Sequence, residues 1–192
     1  YGARSMMGWP GVRDARPNVS HLALATLERL GHVELVITQN VDRLHQRAGS
    51  EAVVDLHGRL DRVKCLDCGE YGCREAMQAR LLQCNAGFDH RVETVRPDGD
   101  AELPDEALAS VAIPPCLRCG GTLMPDVVFF GGTVPRHRVN RGMAAVERAD
   151  ALLVVGSSLQ VYAGFRFCKR AAEMGKPVAI VNPGATRADD MA

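Results

Sequence analysis

The sequence lacks a surplus of charge: twenty-three lysines and arginines balance twenty-three aspartates and glutamates. A neutral chain exerts no long-range pull on phosphate backbones or anionic lipids, so no nucleic-acid and no membrane partner is expected. No run of about eighteen apolar residues is present that could cross a bilayer. The first residues have neither the charged start nor the apolar middle of a secretory leader. These absences predict a cytoplasmic protein, with the mitochondrial matrix the alternative in a eukaryote, where a transit peptide would precede Tyr1. Lysine is scarce, occurring only at Lys64, Lys169 and Lys176, and internal repeats and low-complexity tracts are missing. With 192 residues the chain has room for one good core and a satellite module but not for two full domains.

What is present begins with cysteine. Of seven cysteines, four fall in two pairs, Cys65-Leu66-Asp67-Cys68 and Cys116-Leu117-Arg118-Cys119. Such knuckles suit one tetrahedral zinc ion in a reducing compartment better than a disulfide framework, whatever the length of chain between them. Gly69, Gly120 and Gly121 follow directly, where the turn after a knuckle needs residues without a Cβ. Four protein ligands close the coordination sphere, so this zinc is expected to hold structure and do no chemistry. Cys73, Cys84 and Cys168 match no paired spacing and read as ordinary thiols.

The remainder alternates strand, loop and helix. Gly8, Pro10, Gly11 and Pro17 predict loop at the start. Asn18 then caps a helix in which Val19, Leu22, Ala23, Leu27 and Leu30 recur at helical spacing as far as Gly31. Two short strands, 33–38 and 53–56, end in polar residues. The first delivers Gln39-Asn40-Val41-Asp42 at the head of a short helix that stops at Gly49, and the second delivers His57. Residues 61–121 are polar and aperiodic and read as an inserted zinc-binding module, after which Val127-Val128-Phe129-Phe130 resumes the main sheet. A helix at 136–148 carries Val139, Met143 and Val146 on one face, and a buried strand at 151–155 ends in Gly156-Ser157-Ser158. A helix at 164–174 and a strand at 178–181 ending in Asn182-Pro183-Gly184 complete the chain. The alternation predicts a doubly wound parallel α/β sheet over 1–60 and 122–192, with polar strand ends facing one crevice.

Taken in order, several motifs resemble one family. They are Thr38-Gln39-Asn40-Val41-Asp42, Leu44-His45, Ala48-Gly49-Ser50, Leu56-His57-Gly58, the two cysteine pairs, Pro125 through Gly131, Gly156 through Val161, and Val181-Asn182. They resemble the sirtuins, NAD-dependent protein-lysine deacylases, from the first residues to about Asp190. Asp61-Arg62-Val63 and the long spacer between the cysteine pairs resemble the class II, sirtuin-4-like branch.

The resemblance implies a Rossmann-like fold, NAD and zinc as cofactors, and acyl-lysine proteins or peptides as substrates. It implies that His57 is the general base on a ribose hydroxyl of NAD, a task suited to a near-neutral pKa. Gln39, Asn40, Val41 and Asp42 would line the nicotinamide and its ribose. Gly156, Ser157 and Ser158 would meet the phosphates and ribose, and Asn182, Pro183 and Gly184 the adenosine end. Val128, Phe130 and Val161 would pack around the acyl-lysine or pair with the peptide by strand addition. Tyr1 and Arg4 have the Tyr-x-x-Arg spacing by which some sirtuins read an acidic acyl group, although the same spacing arises on any helix. The implied reaction moves the acyl group from lysine onto ADP-ribose, with release of nicotinamide and O-acyl-ADP-ribose. Two alternatives stay open: ADP-ribosyl transfer to protein on the same site, and a zinc-stabilised binding module without activity. The family's glycine-rich phosphate loop and first strand precede the part matching Tyr1, so the Rossmann-like domain is expected to be N-terminally incomplete here. Arg43 and Gly132 stand where the family would have a small and an acidic residue.

Overall fold

The computed structural model describes residues 2–88, 104, 110–129 and 131–192. Among them the elements in chain order are α1 (Gly2–Asp14), α2 (Val19–Arg29), β1 (Val36–Thr38), α3 (Leu44–Arg47), β2 (Val53–Asp55), β3 (Gly58–Cys65), β4 (Tyr71–Cys73), α4 (Arg74–Cys84), β5 (Leu123–Val127), α5 (Arg136–Arg148), β6 (Leu152–Val155), α6 (Tyr162–Glu173) and β7 (Val178–Val181), closed by a 3-10 turn at Asp189–Met191. They form two compact units. One gathers Val19–Gln39, Ala48–His57 and Val128–Ala192, the other Tyr1–Asn18, Asn40–Arg47 and Gly58–Val127.

The first of these is the parallel α/β unit. β1 pairs with β2 in parallel, Ile37 opposite Val54, and β6 pairs with β7 in parallel, Val154 opposite Ile180. A parallel pair needs a crossover, and α6 supplies it between β6 and β7. Leu56, Val146, Val154, Phe167, Cys168 and Ala171 form the buried centre, with Val139 and Met143 of α5 packed against it as their spacing predicts.

Two expectations fail in this unit. The strand ending at Val155 is not buried on both sides: Leu153 and Val155 are exposed, and so are their register partners Ala179 and Val181. The apolar positions of α2 also stay outside, for Val19 is 81% exposed and no residue of the helix is buried. Periodicity states which residues share a face, not what covers it. α2 is instead moored through Glu28, whose Oε1 accepts the N–H groups of Glu51 and Ala52 at 3.1 and 2.6 Å.

The second unit is broader than the expected insert at 61–121. It begins at Gly58, ends at Val127 and takes in α1 and α3. Its centre is an antiparallel sheet in the order β4-β3-β5. Gly58 and Leu60 of β3 point inward, then Val63 and Cys65, because a register shift between Arg59 and Val63 moves the inward set by one residue. That shift breaks the alternation by which a strand is recognised, so the sequence here looks aperiodic.

The apolar run expected to resume the parallel sheet does not. Val127 ends β5 as an antiparallel partner of β3, and Val128 and Phe129 lie outside any strand. The loop expected at the start is likewise absent, since α1 runs through Gly8, Pro10 and Gly11. Burial overrides the local preference: Met6 is 1% exposed and packs with Val63, Met77 and Leu81. The buried Arg74 and Gln78 of α4 donate to the Ser5 and Met6 carbonyls.

Candidate active site and metal centre

Within the parallel unit the strand ends carry the candidate residues. The Leu56 N–H donates to the Thr38 carbonyl at 2.9 Å, which holds the β1 and β2 ends level. His57 follows, partly buried, with its own carbonyl accepting the Val128 N–H at 2.7 Å. Burial lowers the His57 pKa below its ordinary value. A hydrogen bond to the Gln39 backbone pulls upward, and the charge of Arg138 pulls downward again. The ring is therefore neutral near pH 7, the form a base requires.

Gln39 reaches the other strand pair. Its side-chain N–H donates to the Ser157 hydroxyl at 3.2 Å, tying the end of β1 to the end of β6. A Cβ on Gly164 would lie 2.7 Å from that amide, so the α6 glycine makes room for it. The Ser157 hydroxyl also accepts the Leu159 N–H at 3.3 Å, which leaves its proton to give away. Leu159 is buried at φ +57°, a strained conformation for a branched residue. On the neighbouring strand Asn182 closes its turn by donating to the Gly184 carbonyl at 2.6 Å. Gln39, His57, Ser157 and Asn182 thus sit at the C-terminal ends of parallel strands, where open α/β sheets bind ligands. Val128 packs on the core, and Val161 is 48% exposed.

Asn40, Val41 and Asp42 belong to the other unit. There the Val41 carbonyl accepts the Leu60 N–H at 2.9 Å, and Asp42 Oδ1 accepts the Leu44 N–H at 2.9 Å to start α3. This turn puts Arg43 at φ +66°, which gives a physical reason for a small residue at that position. Arg4 lies on α1 in the same unit. Tyr1 and Phe130 lie outside the described residues.

The four expected cysteines converge. Their sulfurs all lie within 4.8 Å of one another, with Cys65 and Cys119 at 3.5 Å and Cys68 and Cys116 at 3.8 Å. A zinc tetrahedron with arms of about 2.3 Å has edges of about 3.8 Å, so the quartet fits that ion. The two knuckles repeat one hydrogen-bond pattern. The Gly69 N–H donates to the Cys65 carbonyl and the Gly120 N–H to that of Cys116, while the Cys65 and Cys116 N–H groups donate to Glu70 and Gly121. Gly69 and Gly120 sit at φ +74° and +75°, as the turns require. Backbone N–H groups, that of Cys68 foremost, draw the Cys65 thiol down to about 7, toward the thiolate a metal takes.

Sequence reasoning missed Arg138 beside His57, Asp67, which accepts the Thr122 N–H at 2.8 Å between the knuckles, and the arginines around Tyr162. Arg138, Asp67 and Arg187 have partners remote in sequence, which no spacing rule marks; Arg166 lies four residues after Tyr162, a helical neighbour spacing.

A parallel α/β unit with polar strand ends and a four-cysteine zinc module define a zinc-stabilised protein with a Rossmann-like fold. The Sir2 family model matches residues 4–163, and the chain belongs to the Sir2 family. It is 54% identical over 191 residues to a NAD-dependent protein deacetylase of Xanthomonas campestris pv. campestris, covering 100% of this chain and 65% of that protein. It is 48% identical over 194 residues to the NAD-dependent protein deacylase SIR4 of Monosiga brevicollis, covering 98% and 63%, which agrees with the expected class II branch. Among solved structures, a Sir2 protein bound to acetylated peptide aligns with a TM-score of 0.76 at 32% identity, over 95% of this chain and 65% of that one. The chain thus spans just under two thirds of the length of these relatives. No helix among the described residues is long and apolar enough to cross a membrane.

Proposed function

We propose that this chain is the larger part of a NAD-dependent protein-lysine deacylase. The observation that carries the reading is His57: a half-buried, neutral imidazole at a strand end, hydrogen-bonded to the Gln39 backbone and level with the Gln39–Ser157 pair. The residues fit the cofactor, since the Ser157 hydroxyl keeps a proton to donate and Gly156, at φ +60°, has no neighbour within 4 Å of an added Cβ. Bound NAD would supply the electrophilic ribose carbon to which the amide oxygen of the acyl-lysine bonds as nicotinamide departs. The chain's own work is then orientation and proton transfer. His57 takes a proton through the ring nitrogen not committed to Gln39. Gln39, Asn40, Val41 and Asp42 hold the nicotinamide end, Gly156, Ser157 and Ser158 the phosphates, and Asn182, Pro183 and Gly184 the adenosine. Val128, Phe130 and Val161 receive the acyl-lysine peptide, with Tyr1 and Arg4 as readers of an acidic acyl group. Solved relatives bound to acetylated and propionylated peptides support this substrate class.

The test is to incubate the full-length parent protein with NAD and acetyl-, succinyl-, glutaryl- and lipoyl-lysine peptides and to follow nicotinamide release. Activity that survives His57→Ala unchanged would refute the role given to His57.

A further inference from the structure

Two arginines crowd Tyr162, one residue past Val161. The Arg166 guanidinium lies 5.2 Å from the Tyr162 ring centroid. That of Arg187 lies 6.0 Å from the same centroid and 4.2 Å over Phe165. Arg187 is further held by its backbone N–H, which donates to the Ser158 carbonyl at 2.9 Å, and by its guanidinium, which donates to the Gln160 carbonyl at 3.4 Å. Resting a guanidinium on an aromatic face orients it without neutralising it.

No countercharge accompanies them. Among the described residues neither arginine forms an ion pair with a carboxylate, and Arg166 Nε is closed off from solvent with no acceptor. Asp189, two residues beyond Arg187, turns its carboxylate to the Thr186 N–H and hydroxyl instead. The first turn of α6 contains no acidic residue, and Val161 offers it no side-chain cap. Tyr162 itself is 51% exposed. Two oriented cations without a countercharge, beside an open aromatic ring, form a receptor for an external carboxylate.

We propose that Arg166 and Arg187 read an acidic side chain of the substrate protein beside the acyl-lysine, so that sites flanked by Asp or Glu are favoured. The proposal rests on the deacylase reading, in which Val161 pairs with the substrate strand. Val161 is extended, at φ −76° and ψ 121°, and adjoins Tyr162, so a strand paired with it carries its next side chains toward the ring.

The test measures the full-length parent protein against acyl-lysine peptides with Glu, Gln or Lys at each flanking position. It reads kcat and KM with NAD and, separately, peptide binding by fluorescence anisotropy without NAD. An exposed arginine–carboxylate pair strengthens binding by up to about fivefold. Glu peptides should therefore outperform Gln peptides several-fold through KM, with the advantage fading at high salt and lost in Arg187→Gln, while the Gln peptide is unaffected. Arg187 is exposed, so this variant folds even if Arg166→Gln does not. Equal use of Glu and Gln peptides, or a preference that survives Arg187→Gln, overturns the proposal. A rise in KM for NAD common to all peptides assigns the arginines to a cofactor phosphate and also overturns it. Charge-selective binding that is lost in Arg187→Gln, with no peptide turned over, upholds the acid reader and refutes the deacylase reading.

Discussion

Gln78 gives its side-chain N–H to the Met6 carbonyl at 2.8 Å, and Met6 is the residue whose carbonyl Pro10 leaves without a helical donor. A side chain of α4 thus completes the hydrogen bonding of α1. Gln78→Leu should leave a buried carbonyl unsatisfied and destabilise the protein by about 1–3 kcal/mol in denaturant unfolding. Adding Pro10→Ala restores a backbone donor at position 10, so the double variant should recover part of the loss. If Gln78→Leu unfolds at the same midpoint as the parent, Gln78 is not completing the helix.

Gly58 holds β3 against β5. It lies at φ +92°, and a Cβ there would sit 2.1 Å from the Asp126 carbonyl oxygen, which is backbone and cannot swing aside. Gly58→Ala should cost roughly 3 kcal/mol or more, from strain and lost pairing together. Hydrogen exchange should speed up along 58–65 and 123–127, the strands this residue joins.

Metal analysis should find about one zinc per chain, removable by a strong chelator. Cys65→Ser and Cys116→Ser should each lose the ion and protection of the β3 and β5 amides together. An unchanged melting temperature after complete zinc removal would contradict a structural role.

With His57 as the proposed general base, the pH profile follows from that residue. Its pKa is lowered from 6.5 mainly by burial, so the neutral base should persist below pH 6.5 and the acid limb of kcat/KM should fall under that value. Arg138→Ala removes a charge that helps to lower the pKa, and should move the limb to higher pH. For stability the sign is that of a depressed group: the contribution is complete above the unfolded value and is lost as pH falls through the folded one.

Lys176 closes α5 from outside the helix. Its ammonium donates to the Val146, Glu147 and Ala149 carbonyls at 2.9, 2.7 and 2.5 Å. Lys176→Met keeps the stem but strips the donors, and should lower stability by about 1–2 kcal/mol in thermal unfolding.

How far the sequence could be read depended on where each partner lies. The cysteine quartet was legible because knuckle spacing and metal geometry fix the ligands whatever separates the pairs. α5 and β7 were legible to the residue, since the local pattern of apolar residues and Pro177 before β7 decide them. His57 and Gln39 were legible as polar residues after apolar strands. α1 was not, because it survives Pro10 through the burial of Met6 and through Arg74 and Gln78, some seventy positions on. β3 was hidden by its register shift, and the role of Arg187 by aromatic neighbours twenty or more residues earlier. Their locations become visible only when the chain is folded.

The open face of β6 and β7 has a practical side. Leu153 and Val155 stand opposite Ala179 and Val181, four apolar residues in a two-by-two grid facing away from the core. A purified preparation of this chain by itself should bind a hydrophobic dye, show light scattering that grows with concentration, and run larger than its mass on a sizing column. Replacing Leu153 and Val181 with threonine puts a β-branched polar residue at both strand positions, and should yield a clear solution without touching His57 or the zinc knuckles.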